Sequence, residues 1–347
     1  MPKFHLLLAC TLALAFSTPV MFAQLDQGQI SGTVKDGSDA SVPGATVTAV
    51  NTGNGRSTSA TAGQNGSYIL TNLPVGTYEV AVEFTGFRKS VQQNVKVDAA
   101  ARAIVDFTLE VGSASDTINV DATAVAVQSE TAQIGRVVES RQITDLALNG
   151  RNPIYLTLLK AGVIGGNFAT FNPTQMHETF SINGGRRNGN NFSIDGVNAV
   201  RTRGDTNGNA QLGVFNADTI QEVQILTTNY PAEYGRAMDG QIRFVTKSGT
   251  RDFHGTAWEF LRNSALDANS WVRNSSSNPD DSRRAAPFRF NQPGYGVGGP
   301  VYIPGKFNSE RNKLFFFASQ EWMYYRREKT STAVVPTAAM RRGDFSE

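Results

Sequence analysis

The chain has 347 residues, with 32 lysines and arginines against 30 aspartates and glutamates, 33 glycines and a single cysteine. That length allows two or three domains. A net charge of +2 excludes the broad basic footprint of a nucleic-acid binder, and no run of like charges marks a disordered tail.

The N-terminus, MPKFHLLLACTLALAFSTPVMFAQ, places Lys3 ahead of an apolar run over residues 6–16, and small residues follow. This is the pattern of a secretory signal peptide over residues 1–23, with cleavage expected after Ala23. It is too short for a spanning helix. The segment LLAC ending at Cys10 imitates a lipoprotein box, but the apolar run continues past it. The mature chain then carries no cysteine and is exported without disulfides. No later stretch reads as a transmembrane helix; an exported chain can still span a membrane as a β-barrel.

Over residues 27–110 short strands alternate with turns. Apolar side chains recur at period two: Ile30 and Val34, Val47 and Ala49, Tyr68 and Leu70, then Tyr78, Val80, Val82 and Phe84, and finally Val105, Phe107 and Leu109. Such spacing predicts a small β-sandwich. The stretches GTVKDGSDASVPGATVTAVN, GSYILTNLPVGTYEVAV and GFRKSV resemble the carboxypeptidase regulatory-like (transthyretin-like) domain family. The resemblance implies a non-catalytic sandwich.

Residues 111–126, VGSASDTINVDATAVA, form a linker rich in small residues. Within it, Asp116, Thr117, Ile118, Asn119 and Val120 read either as an ordinary short strand or as a peptide that adds itself to another protein's sheet edge. The second mode needs an extended, β-prone segment, because main-chain hydrogen bonds supply the affinity. Thr117, Ile118 and Val120 suit it. The five residues resemble the TonB box of TonB-dependent outer-membrane receptors, which implies a TonB-like energy-transducing partner.

Residues 127–249 read as mixed α/β. RNPIYLTLLKAGV is expected to form a short helix capped by Asn152, with Pro153 in its first turn. SRQITDLALNG is expected to form another, ended by Gly150. TIQEVQILTT and GQIRFVTKSGT read as strands carrying Ile220, Val223, Ile225, Ile242, Phe244 and Val245. Between them lies INGGRRNGNNFSIDGVNAV. A phosphate loop would need a lysine and a serine that GGRRNG lacks. Asn191, Ser193, Asp195 and Gly196 copy the first half of a calcium loop, but Thr202 stands where its bidentate glutamate belongs. There remains a strand, a turn and a strand, whose glycines permit positive φ and whose Arg186 and Arg187 are free to face a polar lumen. LALNGRNPIYLTLLKAGV, FSINGGRRNGNNFSIDGVN and IQEVQILTTNYPAEYGRAMDGQIRFVTKSGT resemble the plug domain of TonB-dependent receptors of the Oar-like type. The positions matching the family turn are Asn183, Gly184, Arg186, Asp195 and Gly196.

From residue 250 to 347 the alternation lengthens. FHGTAWEFLRN sets Trp258 and Phe260 against Glu259, and GYGVGGPVYI reads as a glycine-rich strand. KLFFFASQEWMYYRRE puts Leu314, Phe316, Ala318, Trp322 and Tyr324 on one face, with Phe315, Phe317, Ser319 and Glu321 on the other. Alternating segments with clustered aromatics are the signature of outer-membrane strands. FHGTAWEFLRNSALDAN and VGGPVYIPGKFNSERNKLFFFASQEW resemble the opening barrel strands of the same receptors.

The expected fold class is mainly β: a transthyretin-like β-sandwich, then an α/β plug, then the first strands of an outer-membrane β-barrel. Barrels of this class close about 22 strands against roughly three or four candidates here, so the chain is expected to be the N-terminal part of a receptor, as a truncated gene product or a fragment. The resemblance implies an outer-membrane transporter in contact with outer-membrane lipid. It would take up a large extracellular substrate such as a glycan, a peptide or a metal chelate, with no cofactor and no nucleic acid. No H-E-x-x-H, no G-x-S-x-G and no metal-spaced histidines occur, so no catalytic or metal residue is assigned and no enzyme activity is expected. The alternative is a secreted, surface-exposed glycan-binding β-protein without transport. His177 and His254 are isolated, and the Arg-Gly-Asp triplets at 203–205 and 342–344 are too short to carry an adhesion reading.

Overall fold

The computed structural model of the chain describes residues 27–99, 101–112, 117–121, 134–146, 148–165, 180–186, 189–199, 216–230, 234–235, 237–275, 277, 285–327 and 335–346. The signal peptide, Asp116, His177, Arg187, Thr202 and the 203–205 triplet lie outside the described residues. The fold is mainly β. The chain divides into one unit of Met1–His254 with Val297–Ala318 and a second of Gly255–Gly296 with Ser319–Glu347.

The first unit opens with the sandwich. Its strands are β1 (Gly28–Asp36), β2 (Thr46–Asn51), β3 (Ser57–Thr61), β4 (Ser67–Leu73), β5 (Gly76–Glu83), β6 (Lys89–Val97), β7 (Arg102–Ile104), β8 (Phe107–Leu109) and β9 (Thr117–Asp121). One sheet runs β4-β1-β7 with β8 also on β1, and the other runs β3-β2-β5-β6-β9. The period-two residues all point between the sheets. Ile30, Val34, Val47, Ala49, Val80, Val82 and Leu109 are fully buried there, with Tyr68, Leu70, Tyr78 and Phe107 beside them. Each fully buried Val, Leu or Phe stabilises the fold by about 1.5–3 kcal/mol relative to exposure. The two buried tyrosines keep their hydroxyls satisfied, Tyr68 donating to the Val105 carbonyl at 2.6 Å and Tyr78 to that of Pro74 at 2.7 Å.

The plug follows in the same unit, with β10 (Ile134–Glu139), α1 (Ser140–Asp145), β11 (Val163–Gly165), β12 (Phe180–Ile182), β13 (Asn191–Ile194), β14 (Val197–Asn198), β15 (Ile220–Thr228) and β16 (Gln241–Thr246). Its main sheet runs β10-β15-β16-β13-β14 and is antiparallel except where β13 pairs with β16. A bulge between Ile220 and Glu222 explains how Ile220 and Val223, three residues apart, reach one core. Ile143, Ile154 and Leu156 cover that face.

Two helices differ from expectation. α1 stops at Asp145, well before Gly150, because Leu146 is already extended (φ −74°, ψ 131°). Gly150, at φ 64°, belongs instead to a separate 3-10 turn over Asn149–Arg151. The second helix is a 3-10 helix over Pro153–Leu159, with the Asn152 side chain accepting from the Ile154 amide as its cap. Proline forces the residue before it out of the α region, and Asn152 is accordingly extended (φ −79°, ψ 111°), so the Asn149–Arg151 turn does not run on into the Pro153–Leu159 helix.

The last strands are β17 (His254–Asn263), β18 (Phe288–Pro300), β19 (Phe315–Glu321) and β20 (Tyr324–Arg327), with a one-turn helix α2 (Trp271–Asn274) after β17. Their sheet runs β17-β18-β19, with β20 on β18. The expected continuous strand through KLFFFASQEWMYYRRE is interrupted after Glu321 and resumes at Tyr324. Within the second unit β18 alternates: Phe290, Gln292 and Gly294 are buried, while Arg289 and Tyr295 are exposed. Among the described residues, no helix is long and apolar enough to cross a membrane.

Candidate functional site

The linker segment forms a strand. β9 pairs in parallel with β6, with Lys89, Ser90, Val91, Gln92 and Gln93 opposite Thr117, Ile118, Asn119, Val120 and Asp121. The backbone of Thr117, Ile118, Asn119 and Val120 is therefore extended and docked at the end of the sandwich's second sheet.

The plug loop residues resolve into two tight turns. At Asn183-Gly184 both residues have positive φ (51° and 79°), and the Gly185 amide donates to the Ile182 carbonyl at 2.9 Å. At Asp195-Gly196 the values are 47° and 78°, joining β13 to β14. Positive φ at both central residues defines the primed hairpin turn, which Asn-Gly and Asp-Gly adopt most readily. The Asp195 carboxylate then caps the plug sheet, accepting from the Thr246 amide at 2.9 Å and the Thr246 hydroxyl at 2.8 Å. Both its oxygens are engaged by protein donors, which gives Asp195 a structural task. Asn183 and Arg186 are exposed. Between the turns, the backbone of Gly185 and Gly189 lies so close to the Asp239 carboxylate that a Cβ at either glycine would overlap it. The glycine-rich loop thus wraps one of the chain's own acids.

The structure adds a group of residues that periodicity did not single out. Glu222, Gln224 and Arg243 occupy the face of the plug sheet opposite its apolar core, yet all are buried. The Ala99 amide, just past the end of β6, donates to Glu222 Oε1 at 2.7 Å, and Gln224 Nε2 donates to the Ala99 carbonyl at 3.0 Å. Two plug side chains thus satisfy both backbone groups of one sandwich residue, a clasp between the two domains. Arg243 extends it inward, donating to Gln224 Oε1 and to the Tyr234 hydroxyl at 2.9 Å each, with its guanidinium 4.5 Å from the Tyr234 ring centroid. Lys96 bridges to Glu139 and to Asp98 beside the clasp. A further tie runs from the Arg251 amide to the Gly53 carbonyl at 3.0 Å. Burial pushes the Glu222 carboxyl up to about 7; Asp98 and Glu139 add to the rise, while the Ala99 amide and Lys96 oppose it. Burial also pushes Arg243 down to about 10. The only sequence signal for this group was the odd placement of E, Q and R within otherwise apolar strands.

Among the described residues, no group of His, Cys, Asp and Glu is arranged to hold a metal ion.

Three family models match the chain in series: the carboxypeptidase regulatory-like domain over residues 29–110, the TonB-dependent receptor plug domain over 127–240 and an outer membrane β-barrel domain over 245–347. A curated relative, the TonB-dependent transporter Oar of Myxococcus xanthus, is 32% identical over 78 residues, which are 22% of this chain and 7% of that protein's length. Similar solved structures include the siderophore receptor PirA from Acinetobacter baumannii (20% identical, 49% of this chain and 22% of that one, TM-score 0.33) and the outer membrane transporter YddB from Escherichia coli (17%, 48% and 24%, TM-score 0.35). Along the chain, then, a carboxypeptidase regulatory-like domain, a TonB-dependent receptor plug domain and an outer membrane β-barrel domain follow one another, which places the chain at the outer membrane.

Proposed function

We propose that the chain serves energised uptake across the outer membrane, with residues 116–120 as the segment that a TonB-like partner engages and the plug as the element it moves. The substrate class is a large solute: a glycan, a peptide or a metal chelate. The chain's work is transport and not catalysis. The observation that supports this best is the position of β9, an extended strand between sandwich and plug, where a partner's pull would reach both. Strand addition draws its affinity from main-chain hydrogen bonds, and proline removes a donor from the ladder. Ile118→Pro in the full chain is therefore expected to weaken binding of the purified periplasmic domain of the host's TonB-like protein by about tenfold or more, equivalent to about 1.4 kcal/mol. Surface plasmon resonance checks this. Equal affinity for Ile118→Pro and wild type would remove residues 116–120 as the docking segment.

A further inference from the structure

Where β18 begins and β20 ends, arginines meet. The antiparallel register sets Arg289 directly opposite Arg326 and Asn291 opposite Tyr324, so these four side chains share one face of the sheet. Tyr295 lies further along β18 on the same face, since Arg289, Asn291 and Tyr295 alternate with the buried Phe290, Gln292 and Gly294. Trp322 packs against Tyr295. The face is therefore aromatic along its length and doubly cationic at its end. Like charges directly opposite one another across strands destabilise a sheet. Among the described residues, none forms an ion pair or a side-chain hydrogen bond with Arg289, Arg326 or Arg327. The three line an open cleft of about 860 Å³, which Asn263, Phe288 and Tyr325 also line and no acidic residue does. The repulsion between Arg289 and Arg326 is thus left uncompensated by the chain itself.

We propose that this cleft holds the phosphate of a lipid headgroup, with the guanidinium forks of Arg289 and Arg326 donating to its oxygens and Arg327 adding charge at the rim. A phosphate supplies several acceptor oxygens to paired forks, and its negative charge offsets the repulsion between them. Lipid is the source because the arginine pair continues the face that carries Tyr295, Trp322 and Tyr324. Outer-membrane strands turn an aromatic face of that kind to the bilayer, where arginine costs least near the ends of the strands. Arg289 is the second residue of β18 and Arg326 the last but one of β20, the level at which headgroups lie. The inference does not depend on residues 116–120.

The test is flotation of the full chain with vesicles of phosphatidylcholine alone and with the same vesicles containing phosphatidic acid, whose headgroup is a bare phosphate. Wild type is expected to prefer the phosphatidic acid vesicles by about tenfold. Arg289→Glu is expected to lose most of that preference. It should melt no lower than wild type by circular dichroism, because it leaves opposite charges facing across the strands. Arg342→Glu makes the same charge change at an exposed residue outside the cleft, and is expected to keep the preference within about threefold. A preference that survives Arg289→Glu, or that falls equally in Arg342→Glu, would overturn the proposal, the second by showing a diffuse attraction between charges. A lower melting midpoint for Arg289→Glu would give Arg289 a role in the fold and overturn it as well. Binding of inorganic phosphate to the detergent-solubilised chain, lost in Arg289→Glu and unaccompanied by any vesicle preference in wild type, would assign the cleft to a soluble anion and overturn the lipid source.

Discussion

Glu222 is a carboxyl held at 3% exposure with one backbone amide and Lys96 to favour its charge, and with Asp98 and Glu139 against it. Its folded-state pKa, about 7, stands above the ordinary glutamate value of 4.5. The folded chain therefore binds the proton more tightly than the unfolded chain between those values. Stability falls as pH rises through this window and is lowest above 7, where the buried group is charged. Glu222→Gln removes the titration and leaves a carbonyl oxygen to accept from Ala99. Comparing wild type with Glu222→Gln by denaturant melts at pH 5 and pH 8, the variant is expected to gain about 1–3 kcal/mol over wild type on going to the higher pH. A difference between the two proteins that does not change with pH would show that Glu222 does not titrate in the clasp. Arg243 obeys a related constraint. Its cost of burial is offset by Gln224, by the Tyr234 hydroxyl and by the Tyr234 ring face.

The sandwich strands make a core of their own, from Ile30 to Leu109, separate from the plug's core. Residues 27–110 expressed alone are therefore expected to be soluble and to melt cooperatively. The longer segment of residues 27–121 should melt at higher denaturant, because β9 adds five residue pairs along β6. Absence of a cooperative transition by circular dichroism would refute the boundary at 110, and equal midpoints would show that β9 adds nothing to the edge. These strands were legible in the sequence because each buries one face: Tyr78, Val80 and Val82 alternate with Glu79 and Ala81, and period two assigns the faces without knowledge of the partner strand. The Asn-Gly and Asp-Gly turns were legible for a similarly local reason, since positive φ at two successive positions suits few residue pairs. Pairing was not legible. β7 and β8 both run parallel to β1, and β9 runs parallel to β6. Such pairings join segments far apart in sequence and leave no local signature. Glu222, Gln224 and Arg243 were missed because alternation marks them as a solvated face, and only the covering of that face by the sandwich and by Tyr234 buries them. The helix ends were misplaced because Pro153 and the Asn149-Gly150 turn cut short a segment whose apolar spacing reads as helical.

At the scale of the whole molecule, the chain's three tryptophans, Trp258, Trp271 and Trp322, all fall in the second unit, so intrinsic tryptophan fluorescence reports on that unit alone. Their environments differ. Trp258 lies against Gly294 and donates through Nε1 to Glu321 Oε2 at 3.1 Å, on the face where Phe290 and Gln292 are buried. Gln292 also reaches Glu321, which makes this the polar side of the sheet. Trp322 packs against Tyr295 with tilted rings, their centroids 5.9 Å apart, and is 43% exposed; Tyr324 is 60% exposed. Its amide donates to the Pro293 carbonyl at 2.9 Å, so the interruption after Glu321 is still tied to β18. Trp271 sits 81% exposed on α2, beyond the end of β17. Outer-membrane strands turn an apolar, aromatic-girdled face to lipid and a polar face inward, which assigns Trp322, Tyr295 and Tyr324 to lipid and Trp258 to the interior. Reconstituted into vesicles whose acyl tails carry bromine, the full chain should lose part of its fluorescence to quenching by the tails. Trp322→Phe should abolish most of that quenching, Trp258→Phe should leave it intact, and Trp271 should be the tryptophan reached by aqueous acrylamide. Quenching that survives Trp322→Phe and disappears with Trp258→Phe would mean that the sheet faces lipid with its other side; no quenching at all would mean that these strands do not enter the bilayer.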